Sequence, residues 1–374
     1  MNVNEEKEKN DIPPKMPQRA RKKLRKASLV PLVLLTVVCI FVLAAALVFY
    51  LRTRQLTEEN AELQRRMEED YILRTEIDTM LTQAEQAGVE AGIAQGREEL
   101  LEYFHEHMSS GELGPMDTLR SLKPEQIIVG YAGKYLFHDL AEGAARNPFD
   151  KTELILDDRD RVIYVGDDPS VEGLFGIDVS AFQGQIDWAR VKADGVKFAM
   201  IRMGFRGWGK NGSYNDDEFF EQNVNGAYAN GIEVGVYWVT HAIDTGEAAE
   251  EAEYVLNKIE PFRDKITLPV VLDFESPETA ENRIYDLTQE EWTENALVFM
   301  ERIEAAGYQP MFYGNLTNFV VHMDDTRILK YPIWIAWYSV PLYFPYEFQI
   351  WQYSYQGRVD GINGDVDLNI MIRK

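Results

Sequence analysis

Hydrophobic positions along this chain repeat with three different periods, and each period predicts a different kind of element. Residues 29–51 carry no charged side chain and are Leu, Val, Ala, Phe and Ile almost throughout. At about 1.5 Å per residue a helix of that length reaches roughly 34 Å, enough to cross a hydrocarbon core of about 30 Å. A transmembrane helix is therefore expected there. A cleaved signal peptide has a shorter apolar stretch and a small-residue cleavage site. Ala44 to Ala46 could imitate such a site, but the length and the charged helix that follows favour a permanent anchor.

From residue 52 to about 107, Glu, Gln, Arg, Leu and Ala dominate and proline is absent, the pattern of a long helix. Leu56, Asn60, Leu63 and Met67 alternate at heptad spacing, and after a three-residue slip Leu73, Ile77, Met80 and Ala84 repeat the pattern. A polar Asn at one such position commonly specifies a parallel two-stranded coil, so a homodimer through the stalk is one expectation and a solitary amphipathic stalk the other. Gly88, Gly92 and Gly96 are expected to loosen the helix toward its end. Residues 115–173 read as a small α+β spacer, with strands at 126–129, 153–156 and 162–165 around a helix at 135–145.

After residue 174 apolar runs of strand length recur at 175–180, 197–203, 232–239, 268–275, 310–313, 333–337, 348–351 and 366–371. Nearly every run delivers a polar or aromatic side chain: Asp178, Arg202, Tyr237 with Trp238, Asp273 with Glu275, Tyr313, Trp337, Trp351 with Gln352, and Asp367. Helical stretches at 188–193, 216–230, 246–259 and 289–306 separate the early runs. Strands alternating with helices predict a parallel sheet covered by helices, and polar residues gathered at strand ends predict a closed, TIM-like α/β barrel. The gap at 338–347 is too short for a full helix, so the final strands are expected to pair without one.

Charge sharpens this picture. Residues 1–27 hold nine Lys/Arg against four Asp/Glu, including Arg19, Arg21, Lys22, Lys23, Arg25 and Lys26, whereas the rest of the chain holds 29 basic against 58 acidic residues. Basic residues before the apolar stretch place the N-terminus in the cytoplasm and residues 52–374 outside. So acidic a body repels phosphate backbones, which excludes nucleic acid as an expected partner. Cys39 is the one cysteine and the five histidines are scattered, so neither a metal nor a cofactor is expected.

Asp273 and Glu275 stand two apart, which on a strand puts both side chains on one face. The run before them is apolar enough to be buried, and acids at its end cost stability unless they serve something. They could cap helices or pair with Arg202 and Arg206. They could also be a catalytic pair, because burial raises the pKa of one carboxyl while a better solvated partner stays ionised, and two such groups flanking an acetal are what glycoside hydrolysis needs. Flat faces for sugar rings are offered by Trp208, Tyr237, Trp238, Tyr313, Trp337, Tyr338, Trp351 and Tyr353.

Seven blocks in order complete the reading: Gly176-Ile-Asp-Val-Ser180, Gly184-Gln-Ile-Asp-Trp188, Phe198-Ala-Met-Ile-Arg-Met-Gly204, Gly235-Val-Tyr-Trp238, Leu268-Pro-Val-Val-Leu-Asp-Phe-Glu275, Trp351-Gln-Tyr353 and Gly361-Ile-Asn-Gly-Asp-Val-Asp-Leu-Asn369. With them residues 174–374 resemble the family-25 glycoside hydrolases, lysozymes that cut peptidoglycan. The resemblance implies a barrel of five β/α units plus three further strands. It also implies metal-free hydrolysis of the β-1,4 bond between N-acetylmuramic acid and N-acetylglucosamine. Carried over by position, Glu275 is the general acid and Asp273 steadies charge at the sugar or its acetamido group. Asp178 and Asp367 complete the acidic cluster, with Asp365 competing for the last place, and Tyr237 and Trp351 contact sugar. Arg202, Trp238, Tyr313, Trp337 and Gln352 join them as expected substrate contacts.

The expected organisation is a basic tail (1–28), a transmembrane helix (29–51), a stalk (52–114), a spacer (115–173) and a hydrolase barrel (174–374). Peptidoglycan strands are the expected substrate. A non-catalytic wall-binding module and a structural coiled-coil protein are the two alternatives.

Overall fold

A computed structural model describes residues 29–111, 114–277 and 279–374, with backbone alone for 29–33; the basic tail lies outside the described residues. The chain divides into two compact units, 1–103 and 104–374. In the first, the apolar stretch and the stalk form part of one continuous helix, α1 (Leu29–Ser110). It is long and apolar enough to cross a membrane by length and composition. Gly88, Gly92 and Gly96 do not interrupt it, because the helix needs only backbone hydrogen bonds that glycine still makes. Leu56, Leu63, Met67, Leu73, Ile77 and Met80 all face solvent.

The second unit contains α2 (Pro115–Ser121) and two hairpins, β1 (Gln126–Tyr131) with β2 (Lys134–Asp139) and β3 (Leu154–Leu156) with β4 (Val162–Tyr164). The helix expected at 135–145 is not formed. Ala132 and Gly133 both take positive φ, 48° and 73°, and turn the chain back so that Tyr135 and Phe137 alternate with Leu136 and His138 along a strand. The boundary expected at 173/174 falls inside this unit, whose hairpins pack on the barrel.

The barrel follows with β5 (Glu172–Val179), α3 (Trp188–Ala193), β6 (Phe198–Arg206), β7 (Tyr214–Asp216), α4 (Phe220–Ala229), β8 (Glu233–Val239), α5 (Thr245–Ile259) and β9 (Ile266–Asp273). It is completed by α6 (Gln289–Ala305), β10 (Pro310–Asn315), the short α7 (Asp325–Ile328), β11 (Ile333–Ala336), β12 (Ile350–Gly357) and β13 (Val366–Arg373). Eight strands close in the order β5-β6-β8-β9-β10-β11-β12-β13, and β13 returns to β5. All pairings around the ring are parallel except the two made by β13. β7 hangs on β6 as an antiparallel extra strand. Helix starts are marked by side-chain caps: Asp187, Asp244 and Thr288 each accept a backbone N–H of the first turn.

Two cores result. One lies between the strands and the outer helices, with Trp238, Phe274, Phe299 and Trp351 among its largest members. The other fills the barrel itself, from Leu174, Phe198, Met200, Val271, Met311, Ile350 and Met371. Filling is tight enough to dictate glycine at 176, where a Cβ would sit 2.2 Å from the Phe198 ring.

Candidate active site

Strand alternation decides what reaches the mouth of the barrel. Every second side chain points inward, so Asp178 follows Gly176, Arg202 follows Met200, Tyr237 follows Gly235, Asp273 follows Val271 and Tyr313 follows Met311. Because β13 runs the other way, its first residues Val366 and Asp367 meet the C-terminal ends of the parallel strands, and Asp367 is the register partner of Asp178. These side chains and Glu275, just beyond β9, line a cleft of about 410 Å³. That is within the usual range for small-ligand sites. A second hollow of about 430 Å³ lies at the opposite mouth, lined by Lys330, Tyr331, Glu347 and Phe348 among others.

The cleft floor is a buried amide clamp. Asp178 Oδ2 accepts from Gln352 Nε2 at 2.9 Å and from Asn369 Nδ2 at 2.8 Å. The Gln352 amide is itself oriented, since its Oε1 accepts from the hydroxyls of Tyr313 and Tyr338, each at 2.8 Å. Asn369 is oriented by Trp334 Nε1, which donates to its Oδ1 at 2.8 Å. On the facing side Arg202 Nε donates to Asp217 Oδ2 at 2.9 Å, and the same oxygen accepts from Ala181 N at 2.8 Å.

Three of the four acids in this hollow have raised pKa values, and burial is the first cause in each. Burial pushes the Asp178 carboxyl up, against the pull of its amide donors and of Asp367. Asp367 is pushed up to about 9, first by burial and then by the charge of Asp178. Carboxyls this close behave as a pair that holds a proton at neutral pH. Asp273 is raised well above the ordinary range by burial and by repulsion from Glu275 and Asp178, with Arg202 opposing the shift. Its Oδ1 is buried with no hydrogen-bond partner. Burial also raises Tyr237, Tyr313 and Tyr338, the last to about 12, so all three remain neutral donors. Among the described residues no group of three His, Cys, Asp or Glu side chains is arranged to hold a metal.

Asp178, Asp273, Glu275, Asp367, Arg202, Tyr237, Tyr313 and Gln352 thus come together around one cleft. Asp365 does not, its carboxylate being paired with Arg358 at 2.8 Å on the surface. The ion pairs of Arg202 and Arg206 go to Asp217 and Glu251, not to the acids of β9. Trp238 and Trp351 are fully buried on the outer side of the barrel, which corrects their expected place in the cleft: each neighbours an inward residue, Tyr237 and Gln352, and so points away. Trp337 also lies outside the cleft, under the Arg120 guanidinium. The site residues missed by the sequence reading include Trp334, Asn369, Phe182 and Asp217, of which Trp334 and Phe182 line the cleft and Asn369 and Asp217 are buried behind it. Alternation signalled the first two, because Trp334 shares a face with Ala336 and Asn369 with Asp367. Nothing in the sequence signalled Asp217.

Carboxylates gathered at the C-terminal mouth of a closed α/β barrel define a class, an enzyme site of the glycosidase kind. Residues 177–362 match the model of glycosyl hydrolases family 25. The chain is 32% identical over 206 residues to Lysozyme M1 of Streptomyces globisporus, an alignment covering 53% of this chain and 67% of that protein. It is 26% identical over 195 residues to the autolytic lysozyme of Clostridium acetobutylicum, covering 52% and 54%. In fold it is similar to the modular autolysin LytC of Streptococcus pneumoniae, with a TM-score of 0.50 and 22% identity over 66% of this chain and 56% of that one. The chain belongs to glycosyl hydrolases family 25 and is by that membership a glycoside hydrolase.

Proposed function

We propose that this chain is a membrane-anchored peptidoglycan hydrolase that cuts the β-1,4 bond between N-acetylmuramic acid and N-acetylglucosamine. The observation that carries the reading is the set of four carboxylates, Asp178, Asp273, Glu275 and Asp367, around one cleft in a family-25 barrel. Glu275 is the acid that protonates the leaving oxygen. Asp273, on the same strand face, steadies positive charge growing at the sugar or its acetamido group. Asp178 and Asp367 complete the acidic cluster. Tyr237, Tyr313 and Tyr338 supply flat walls and neutral hydroxyls for the glycan.

The apolar part of α1 anchors the chain with its N-terminus in the cytoplasm, and the stalk holds the barrel outside, close to its polymer. Leu174 onward carries 16 basic and 31 acidic residues, so no long-range attraction draws it to an anionic wall and tethering supplies the encounter. A homodimer through the exposed stripe of the stalk fits the heptad spacing.

The test incubates the full chain in detergent, and its Glu275→Gln variant, with purified peptidoglycan, then reduces the released fragments and identifies their ends by mass spectrometry. Reduced muramic-acid ends from the unmutated chain, falling about 10²–10⁴-fold with Glu275→Gln, are expected. Reduced glucosamine ends would overturn the bond assignment, and near-normal turnover in the variant would overturn the acid.

A further inference from the structure

Residues 115–173 precede the family match, yet they grip one wall of the cleft. The Arg120 side chain is only 12% exposed. Its guanidinium stands 3.9 Å from the ring centre of Tyr343 and 5.1 Å from that of Trp337. It donates through Nε and Nη2 to the Ile128 carbonyl at 3.3 and 3.2 Å, and through Nη1 to Asp117 at 3.1 Å. Tyr343 in turn accepts from Ile128 N at 3.2 Å. A few residues on, the Tyr346 hydroxyl accepts from Ala141 N at 2.8 Å, and Asn147 Nδ2 donates to the Phe344 carbonyl at 3.0 Å. The segment after β11 is thus held at several points by residues outside the barrel.

That segment carries Tyr338, which lines the cleft. Trp337 N donates to the Gln352 carbonyl at 3.0 Å, and its own carbonyl accepts from Trp351 Nε1 at 2.7 Å. Its neighbour Tyr338 reaches into the cleft to Gln352, which holds Asp178. Tyr338 is 49% exposed, held by its hydroxyl bond to Gln352, by the edge of Tyr355 at 4.9 Å and by the backbone that carries it. A guanidinium so far withdrawn from water costs stability unless its contacts compensate. A planar cation stacks on two rings and keeps its in-plane donors, which a lysine cannot do.

We propose that residues 115–147 are a buttress of the cleft, with Arg120 as a positioning residue. By pinning Trp337 and Tyr343 it fixes the segment 337–346 so that Tyr338 meets Gln352, and Gln352 presents its amide to Asp178. The kinetic consequence rests on the hydrolase reading; the structural one does not.

The test uses the full chain in nanodiscs as wild type, Arg120→Ala, Arg120→Lys, Tyr338→Phe, the Arg120→Ala/Tyr338→Phe double variant and Arg159→Ala. Hydrogen exchange of the segment 337–346 and hydrolysis of peptidoglycan are both measured. Arg120→Ala is expected to speed exchange at 337–346 and to lower kcat/KM roughly 10- to 100-fold. Arg120→Lys is expected to recover only part of that loss. In the Tyr338→Phe background the further loss from Arg120→Ala is expected to shrink to about twofold, because both act through one contact. Arg159→Ala, which removes a pair between the β3–β4 turn and Asp194 at the end of α3, leaves activity and exchange at 337–346 unchanged. Unchanged exchange in folded Arg120→Ala, or full additivity of the two losses, overturns the buttress. Should Arg120→Ala fail to fold, Arg120→Lys and its own double variant with Tyr338→Phe decide on the same criteria. If the wild type releases no glycan ends, the hydrolase reading fails and exchange alone decides the buttress.

Discussion

The stalk and the barrel draw on the same aliphatic side chains at regular spacing and treat them in opposite ways. In α1 the stripe Leu56, Leu63, Met67, Leu73, Ile77 and Met80 lies open, whereas Ile177, Val236, Val270 and Ile335 of the barrel are wholly buried. A helix satisfies its backbone within itself, so the element forms before its apolar face has found a partner. A strand has no such option: its N–H and C=O groups need neighbours on both sides, and eight strands supply them by closing. A regular apolar pattern therefore specifies an element in the stalk, and in the barrel an element together with its neighbours.

The comparison breaks most visibly at large side chains. Trp238→Ala opens a void between barrel and helices and is expected to cost about 3–5 kcal/mol in denaturant unfolding of the barrel. Alanine at Leu63 or Met67 is expected to cost under about 0.5 kcal/mol in a solitary stalk. A loss at Leu63 that approaches that at Trp238 would mean the stripe is buried against a second chain.

A smaller effect comes from the acidic cluster, which the stalk lacks. Asp367 holds its proton up to about pH 9 in the folded protein but only to about 3.8 when free. Between those values the folded state binds the extra proton, so stability falls as pH rises through the window. Asp367→Asn removes its share of that slope and is expected to raise Tm by on the order of 2–4 °C at pH 8, with little change near pH 4. Calorimetry at the two pH values checks this, and an equal shift at both would sink it.

The smallest effect on the barrel is expected from Asn60→Leu. It should change the oligomeric state of the full chain in detergent while leaving the melting of the barrel where it was. Sedimentation that finds an unchanged monomer in both proteins would end the dimer.

How far the site could be read in advance follows from the same contrast. Asp178, Asp273, Glu275 and Asp367 were legible because acids at the ends of apolar strands have few structural uses, and alternation placed Asp273 and Glu275 on one face. The aromatics were less so. Trp238, Trp337 and Trp351 sit beside inward residues, and one step along a strand reverses the side. The hairpin at 126–139 was half legible: its first strand was expected, but its second was mistaken for a helix because the turn depends on Ala132 and Gly133 taking positive φ. Asp217 and Arg120 were not legible at all, since each acts on residues brought near by the fold rather than by spacing.

By itself the sequence determined the apolar span, the long helix, the alternation of strands and helices, and the acids that strand ends would present. Those are properties of one segment and its period, set by local geometry and by what water rejects. Only the tertiary structure decided that Asp367 stands beside Asp178, that Gln352 and Asn369 clamp that acid, and that residues 115–147 brace the wall carrying Tyr338. Closure of a barrel brings together groups nearly two hundred positions apart, and no period along the chain records that distance.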